Sequence, residues 1–165
     1  MKSIAKSDIE VTRQMSHKQE KPGFIYQETI HRLNNSAQEY MRLSVHFLEE
    51  SLLHVSLLLC NRALECMLHA IHIKQQNQLH TTTMLLDDIL QDLSDEMGME
   101  AITFIQSLSY LSQERLLISK MQPTHLMNLI KRADDLLLRL SDRLHLPSET
   151  YHSVFFVEMD YSNGD

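Results

Sequence analysis

The chain has 165 residues, which is enough for one domain with a single hydrophobic core and too few to expect two. Apolar residues make up 43% and charged residues 22%, as in an average soluble protein. The formal net charge of −7 argues against nucleic acid as a partner, since duplex binding needs a basic face, although ten histidines can add local positive charge below about pH 6.5.

Gly and Pro occur only three times each, and Leu, Met, Gln and Glu are frequent, so the composition predicts an all-α fold. The first residues lack the apolar segment of a secretory signal. The longest uncharged run near the centre, Ser51 to Asn61, has about half the length that a membrane-spanning helix needs. We therefore expect a cytoplasmic protein that does not associate with a membrane.

The sequence divides into three regions. Residues 1–23 are polar and end in Lys21-Pro22-Gly23, a strong chain break, and we interpret them as a flexible N-terminal arm. Residues 24–147 are interpreted as a helical bundle domain. Residues 148–165 form an acidic C-terminal tail with several aromatic residues, for which we expect either a short strand or a segment docked on the bundle.

Two long helices are predicted in the first half of the chain. From about Ile25 to Glu50, apolar residues recur at three- and four-residue spacing, which indicates one apolar helix face. The polar run Asn34-Asn35-Ser36 can break this helix and supply a new N-cap. The next helix covers roughly Leu53 to Gln76 and is apolar nearly all round in its first half, so we expect it to be buried on several sides.

Two further helices precede Pro123. One of Thr81, Thr82 and Thr83 is expected to cap a helix that runs through about Glu96, and Gly98 is expected to end it. A fourth helix is predicted from Met99 to about Arg115, with an extension to Met121 left open and Pro123 as its limit.

The last helix is predicted from Thr124, as N-cap, to Leu144, with Pro147 stopping it. Its apolar residues follow a regular 4-3-4-3-4 spacing, which is typical of a bundle or coiled-coil seam: Leu126, Ile130, Ala133, Leu137, Leu140 and Leu144. Any part of this seam not used inside the molecule could supply a dimer interface. Amphipathic helices with short connections predict an antiparallel bundle of four or five helices.

Motifs with strong catalytic signatures are absent from the sequence. It contains no Gly-rich phosphate loop, no CxxC pair, no HExxH and no GxSxG. Cys60 and Cys66 are six residues apart on one predicted helix, about 9 Å along its axis, which is too far for a disulfide within that helix. We interpret both as free thiols in a reducing compartment.

The strongest metal-ligand candidates are Cys66, His69 and His72, each three residues apart on one helix. Neighbouring members could hold one ion together, but three such residues drift round the helix, and a structural zinc site normally has two ligand pairs. A thiol packed in the core with two histidines at its edge is the preferred interpretation. We therefore predict no metal site and no cofactor.

Two pairs of adjacent carboxylates, Asp87-Asp88 and Asp134-Asp135, are candidates for acid–base chemistry. Adjacent side chains on a helix diverge by about 100°, so neither pair forms a dyad by itself. We expect all four to lie on solvated helix faces.

The second predicted helix and the segment after it carry two spaced patterns. The helix pattern consists of Ala63, Glu65, Leu68 and Ala70, and the later pattern of Thr83, Leu86, Ile89 and Leu90. Together they resemble HEPN domains, whose second helix typically reads A-x-E-x-x-L-K-A and is followed by T-H-x-L-x-x-L-L. Here His69 stands in place of the lysine and Met84 in place of the histidine. The resemblance covers about residues 36–144.

HEPN domains are prokaryotic helical bundles that occur alone or beside small nucleotidyltransferases. The resemblance therefore implies an HEPN-like bundle of the type that serves as the substrate-binding subunit of a nucleotidyltransferase. It also implies a homodimer, and a nucleotidyltransferase-type protein or a nucleotide as partner.

Many HEPN domains are ribonucleases that use an R-x4-6-H motif near the start of the last helix. In that chemistry, histidine acts as acid or base and arginine stabilises the phosphate charge. Here the expected region offers Arg115 and His125, nine residues between them, which departs from the pattern. Arg62 and His69 have six residues between them but lie on the second helix. These four are the candidate catalytic residues.

The leading functional hypothesis is a non-enzymatic binding module that associates with itself and with a nucleotidyltransferase-type partner or nucleotide. The first alternative is a metal-independent ribonuclease with a displaced Arg/His pair. The second is a regulatory adaptor that docks through its C-terminal tail.

Overall fold

The computed structural model describes residues 22–77, 84–146 and 150–155. These residues are all-α, with no strand among them, which confirms the predicted fold class. The helices are α1 (Pro22–Glu49), α2 (Leu53–Gln76), α3 (Leu86–Asp92), α4 (Ser94–Met97), α5 (Met99–Gln113), α6 (Arg115–Ile118) and α7 (Pro123–Asp142). No helix in this part of the chain combines the length and apolarity needed to cross a membrane.

Helix α1 is longer and more regular than the sequence indicates. Pro22 and Gly23, expected as a break, are its first two residues, because proline is well suited to the first turn of a helix. The helix also continues through Asn34-Asn35-Ser36. Asn34 is buried and lies in helical register with Ile30, so the bundle encloses this polar residue without interrupting the helix.

Helix α2 is the centre of the bundle, as its nearly uniform apolarity predicts. It packs against α1, α3, α5, α6 and α7. A turn of three residues connects α1 to the start of α2, and in this turn Ser51 adopts a positive φ of 61°. Its buried residues are Ser56, Leu57, Cys60, Asn61, Ala63, Leu64, Met67, Leu68, Ala70, Ile71 and His72.

Two small polar residues lie at the contact between α1 and α2. The Ser44 hydroxyl donates to the backbone carbonyl of Ser56 at 2.8 Å, and the Ser56 hydroxyl donates to the carbonyl of Ser44 at 2.7 Å. Both residues are fully buried. The reciprocal hydrogen bonds bring the two helix backbones close together.

The predicted third helix is divided in the structure. It consists of α3 and α4, with Leu93 (φ −91°, ψ 0°) between them, and Gly98 at φ +80° ends α4 and precedes α5, as expected of this glycine. Helix α3 begins at Leu86 with Leu85 as its N-cap, so the prediction that one of Thr81 to Thr83 caps this helix is wrong; these three residues lie outside the described residues.

The boundaries around Pro123 also differ from the prediction. Helix α5 ends at Gln113, and the short α6 follows Glu114, whose ψ of 71° interrupts the helix. Pro123 then begins α7, so the N-cap is Gln122 and not Thr124. Proline has no N–H to lose at the first position of a helix, which explains why it starts this helix as well as ending the preceding segment.

The apolar seam of α7 is confirmed and is used inside the molecule. Its residues are at most 2% exposed: Leu126, Ile130, Ala133, Leu137, Leu140 and, just beyond the helix, Leu144. Because α7 packs these residues against α2 and α1, the seam is not available as a dimer interface.

Contacts between helix ends give the arrangement of the four long helices. Lys74 near the end of α2 contacts the backbone that follows α7, and Gln75 contacts Glu96 shortly before α5 begins. Helices α2 and α7 therefore run in one direction, and α1 and α5 run in the other. The α1–α2 turn, α6 and the start of α7 form one end of this bundle.

Candidate functional site

Arg62, Glu65 and His69 lie along the outer face of α2. The Arg62 side chain is 62% exposed, and its Nη1 lies 2.6 Å from Glu65 Oε2. Asn61 Nδ2 donates to the other carboxylate oxygen of Glu65 at 2.7 Å. The hydrogen bond with Glu65 raises the pKa of Arg62, and the carboxylate neutralises the guanidinium charge locally.

His69 lies seven residues after Arg62, which corresponds to a rise of about 10 Å along the helix. It is half-buried, and burial lowers the pKa of its imidazole, an effect that Glu65 partly opposes. The two residues therefore share a helix face, but the rise separates them by more than the size of one phosphate group, and Glu65 occupies the space between them.

Arg115 and His125 are exposed on α6 and at the start of α7, respectively. No hydrogen bond or ion pair within the described residues joins them. Within the described residues, neither of the two candidate Arg/His pairs is joined by a direct contact.

The three residues considered as metal-ligand candidates differ in burial. His72 is buried, with Nδ1 3.7 Å from Asp92 Oδ2 on α3, whereas His69 and Cys66 are only half-buried. Burial raises the pKa of the Cys66 thiol to about 11, which keeps it in the protonated form that binds metals poorly. Within residues 22–77, 84–146 and 150–155, no three His, Cys, Asp or Glu side chains are placed to hold a metal ion.

One of the four paired carboxylates departs from the prediction of a solvated face. Asp87, Asp88 and Asp135 are exposed, but Asp134 is only 1% exposed. Asp134 lies four residues after Ile130 and three before Leu137, so its position within the apolar seam of α7 was a signal of burial that the sequence already contained.

The start of the C-terminal tail donates hydrogen bonds to the buried carboxylate of Asp134. The Tyr151 hydroxyl donates to Asp134 Oδ1 at 2.5 Å, the backbone N–H of Val154 donates to the same oxygen at 3.2 Å, and the Ser153 hydroxyl donates to Oδ2. Tyr151 is itself only 1% exposed, and burial followed by its contact with Asp134 raises the pKa of its phenol. This cluster ties the tail to α7.

The tail also contacts α1. Gln38 Nε2 donates to the carbonyl of His152 at 2.8 Å, and the N–H of His152 donates to Gln38 Oε1 at 2.7 Å. Lys131 Nζ lies 5.6 Å from the centre of the Phe155 ring. Residues 151–155 are therefore docked on the bundle, one of the two conformations expected, and the rest of the predicted tail lies outside the described residues.

Apolar side chains are exposed at the end of the bundle formed by the α1–α2 turn. Leu52, Val55 and Leu58 are 49%, 37% and 42% exposed and follow each other at three-residue spacing. Helix α6, which packs against α2, adds Leu116 and Leu117 at 77% and 48%. We call these five residues the α2–α6 apolar surface.

The fold and its surfaces define an all-α helical bundle with an exposed apolar end. Comparison of the chain with protein-family models, with curated proteins and with solved structures gives no match in any of the three.

Proposed function

We propose that this chain is a non-enzymatic, HEPN-like interaction module that forms a homodimer through the α2–α6 apolar surface. The observation that carries the proposal is the exposure of Leu52, Val55 and Leu58 at the start of α2, a helix that also contacts α6. Single exposed apolar residues are ordinary on a monomer, but a group at regular spacing is typical of an interaction site.

A second copy of the chain fits this surface by the spacing of its apolar residues. In an antiparallel pairing of two α2 helices about a two-fold axis at Val55, Leu52 of each copy faces Leu58 of the other. Arg62, about 10 Å further along the helix, then faces the partner's α1–α2 turn. That turn carries the exposed Glu49 and Glu50, but Arg62 is already paired with Glu65, so the pairing depends on the apolar residues and not on opposite charges.

The resemblance to HEPN domains extends the proposal to a companion molecule. It implies that the module pairs with a nucleotidyltransferase-type protein or a nucleotide. The bundle of α1, α2, α5 and α7 is compatible with this family type.

Both alternatives are less well supported by the geometry. A ribonuclease needs a cation available to phosphate, but Glu65 lies 2.6 Å from Arg62 and would repel a phosphate group. An adaptor that docks through residues 151–155 would have to release them from Asp134 and Gln38 first.

The test is sedimentation equilibrium over a range of protein concentrations. We expect the native protein to be dimeric and Leu58→Glu to be monomeric, because two buried carboxylates near the axis would destabilise the interface. Leu85→Glu is the matched control: Leu85 is 69% exposed at the start of α3, outside the α2–α6 apolar surface, and its variant should remain dimeric. A native monomer, or a dimer that survives Leu58→Glu, would contradict the proposal.

A further inference from the structure

The other end of the bundle contains a pocket of about 400 Å³ between α1, α2 and the chain after α7. Ile30 and Ile73 line it from α1 and α2, and Leu144 and Leu146 line it from the chain after α7. Tyr26 completes the apolar part of the wall. This volume lies within the range of small-molecule sites, and the mostly apolar lining is characteristic of them.

The charge of this lining is opposite to that of the chain as a whole. No Asp or Glu is among the described residues that line this pocket, although the chain has a net charge of −7 and Glu96 and Asp142 line a neighbouring cavity that shares Lys74 and His145. Lys74 provides one formal positive charge, and His31 and His145 add two imidazoles. With histidine counted as neutral, the lining carries a formal charge of +1.

The position of the Lys74 ammonium is fixed by the backbone after α7. Nζ donates to the carbonyl of Arg143 at 2.9 Å and to that of Leu144 at 2.6 Å. An ammonium group has three N–H donors, so one donor remains for a ligand. Because Lys74 is half-buried, an ion pair formed there is less screened by water than one at an open surface.

Two residues with positive φ border the pocket. His145 has φ +47° and turns the chain so that Leu144 before it and Leu146 after it both line the cavity. Asn77, with φ +49°, ends α2 and places an amide group at the rim. The pocket therefore combines an apolar interior with polar groups near Lys74.

The geometry points to this pocket as a binding site for a small organic carboxylate with an apolar body. Lys74 pairs with the carboxylate, and the isoleucine and leucine side chains cover the body. A single negative charge matches the lining. A phosphate dianion fits less well, because the carbonyl oxygens of Arg143 and Leu144 lie beside Lys74 and repel additional negative charge.

Titration of the full-length protein with 4-phenylbutyrate, followed by ligand-observed NMR, tests this site. We expect saturable binding at millimolar concentration or below, and affinities weaker by about tenfold or more for the neutral analogue 4-phenylbutanol and for phenyl phosphate. No saturable binding, or equal binding of the neutral alcohol, would overturn the assignment. Stronger binding of phenyl phosphate would replace the carboxylate class with a phosphate class and would also overturn it.

Variants locate the site. Lys74→Gln should weaken binding of 4-phenylbutyrate by about tenfold or more, whereas Lys120→Gln, an exposed lysine after α6, should bind as the native protein does. Since Lys74 also contacts the end of α7, a matched pair at Ile73 gives an independent test. Ile73→Glu and Ile73→Gln introduce side chains of the same shape, but only the glutamate is charged. Only Ile73→Glu should therefore repel the carboxylate of 4-phenylbutyrate. Equal binding by that pair, with unchanged circular dichroism, would contradict the proposal.

Discussion

The hydroxyl of Tyr151 donates a 2.5 Å hydrogen bond to the carboxylate of Asp134, 17 residues earlier in the chain, and both residues are only 1% exposed. A buried carboxylate is costly unless donors satisfy it, so the tail and α7 stabilise each other at this point. The contact makes residues 151–155 part of the folded domain.

Tyr151→Phe tests the strength of this contact. The variant keeps the ring but removes one donor from a buried carboxylate, so we expect the free energy of unfolding to fall by about 1–3 kcal/mol. Urea unfolding measures this change. Tyr110→Phe is the control, because Tyr110 is 62% exposed and should tolerate the same change with little effect. Equal stability of Tyr151→Phe and the native protein would show that the hydrogen bond contributes nothing.

Gly98→Ala should destabilise the protein through its backbone. A Cβ at Gly98 would have no atom within 4 Å, so a clash is not expected. However, φ +80° with ψ 149° is a conformation that only glycine adopts readily. We therefore expect Gly98→Ala to lower the free energy of unfolding by about 1–3 kcal/mol. Urea unfolding again measures it, with Ser107→Ala on the exposed face of α5 as a control. An unchanged unfolding midpoint for Gly98→Ala would mean that the connection between α4 and α5 adapts at no cost.

The hydroxyls of Ser44 and Ser56 should act as a unit. Each single change to alanine removes one reciprocal hydrogen bond and is expected to cost about 1 kcal/mol. The two hydroxyl oxygens also lie 3.3 Å apart, so each single change removes this shared contact and the cost of the double variant should differ from the sum of the single costs. A double-mutant cycle by urea unfolding gives this difference, and strict additivity would contradict the coupling. Ser56→Leu should cost more than alanine, because a larger side chain forces α1 and α2 apart.

The thiols should react in an order set by their burial. Cys60 is fully buried and Cys66 half-buried, and burial raises the pKa of the Cys66 thiol from 9.0 to about 11. At pH 7.5 we expect slow alkylation of both by iodoacetamide in the folded protein and rapid alkylation in urea, with Cys66 the faster of the two when folded. Cys60→Ala and Cys66→Ala, each with one thiol, assign the rates by mass spectrometry. Faster reaction of Cys60 in the folded protein would contradict its burial.

The raised thiol pKa also gives a pH dependence with a defined sign. Because the folded state holds the Cys66 proton more tightly than the unfolded state, its contribution to stability is fully present below about pH 9 and is lost as pH rises through about 11. Cys66→Ala should therefore show a smaller loss of stability over this range than the native protein. Parallel pH profiles of the two proteins would contradict this linkage.

The sequence predicted those parts of the fold that depend on periodicity within one helix. The burial of α2 and the seam of α7 from Leu126 to Leu144 are of this kind, because side chains three and four residues apart share a helix face. Helix boundaries were less predictable. Pro123 begins a helix where a stop was expected, because proline also suits the first position of a helix, and α1 continues through Asn34, which the surrounding bundle encloses.

The burial and the hydrogen-bond partners of the candidate residues were harder to predict, because they depend on contacts between residues that are distant in sequence. Asp134 was expected in solvent, and only its donors in residues 151–154 explain why a carboxylate is buried there. The α7 seam had been considered as a dimer interface, but it is buried inside the molecule, and the homodimer that we propose therefore uses Leu52, Val55 and Leu58 instead. The ion pair of Arg62 and Glu65, by contrast, follows from a three-residue spacing that the sequence displays directly.

Arg62 and His69 provide the test that separates the binding module from the ribonuclease. Because Glu65 neutralises Arg62, we expect no cleavage of single-stranded RNA by the native protein above the background of an Arg62→Ala/His69→Ala double variant. Arg62→Ala alone should remain folded by circular dichroism, and its free energy of unfolding should fall by no more than about 1 kcal/mol, as is usual for an exposed ion pair.

Glu65→Gln is a second informative variant, because it leaves the Arg62 guanidinium without its carboxylate partner. Cleavage that is absent from the native protein but gained in this variant would identify Glu65 as an inhibitory group. RNA cleavage by the native protein that either alanine change abolishes, with helicity retained, would overturn the non-enzymatic proposal.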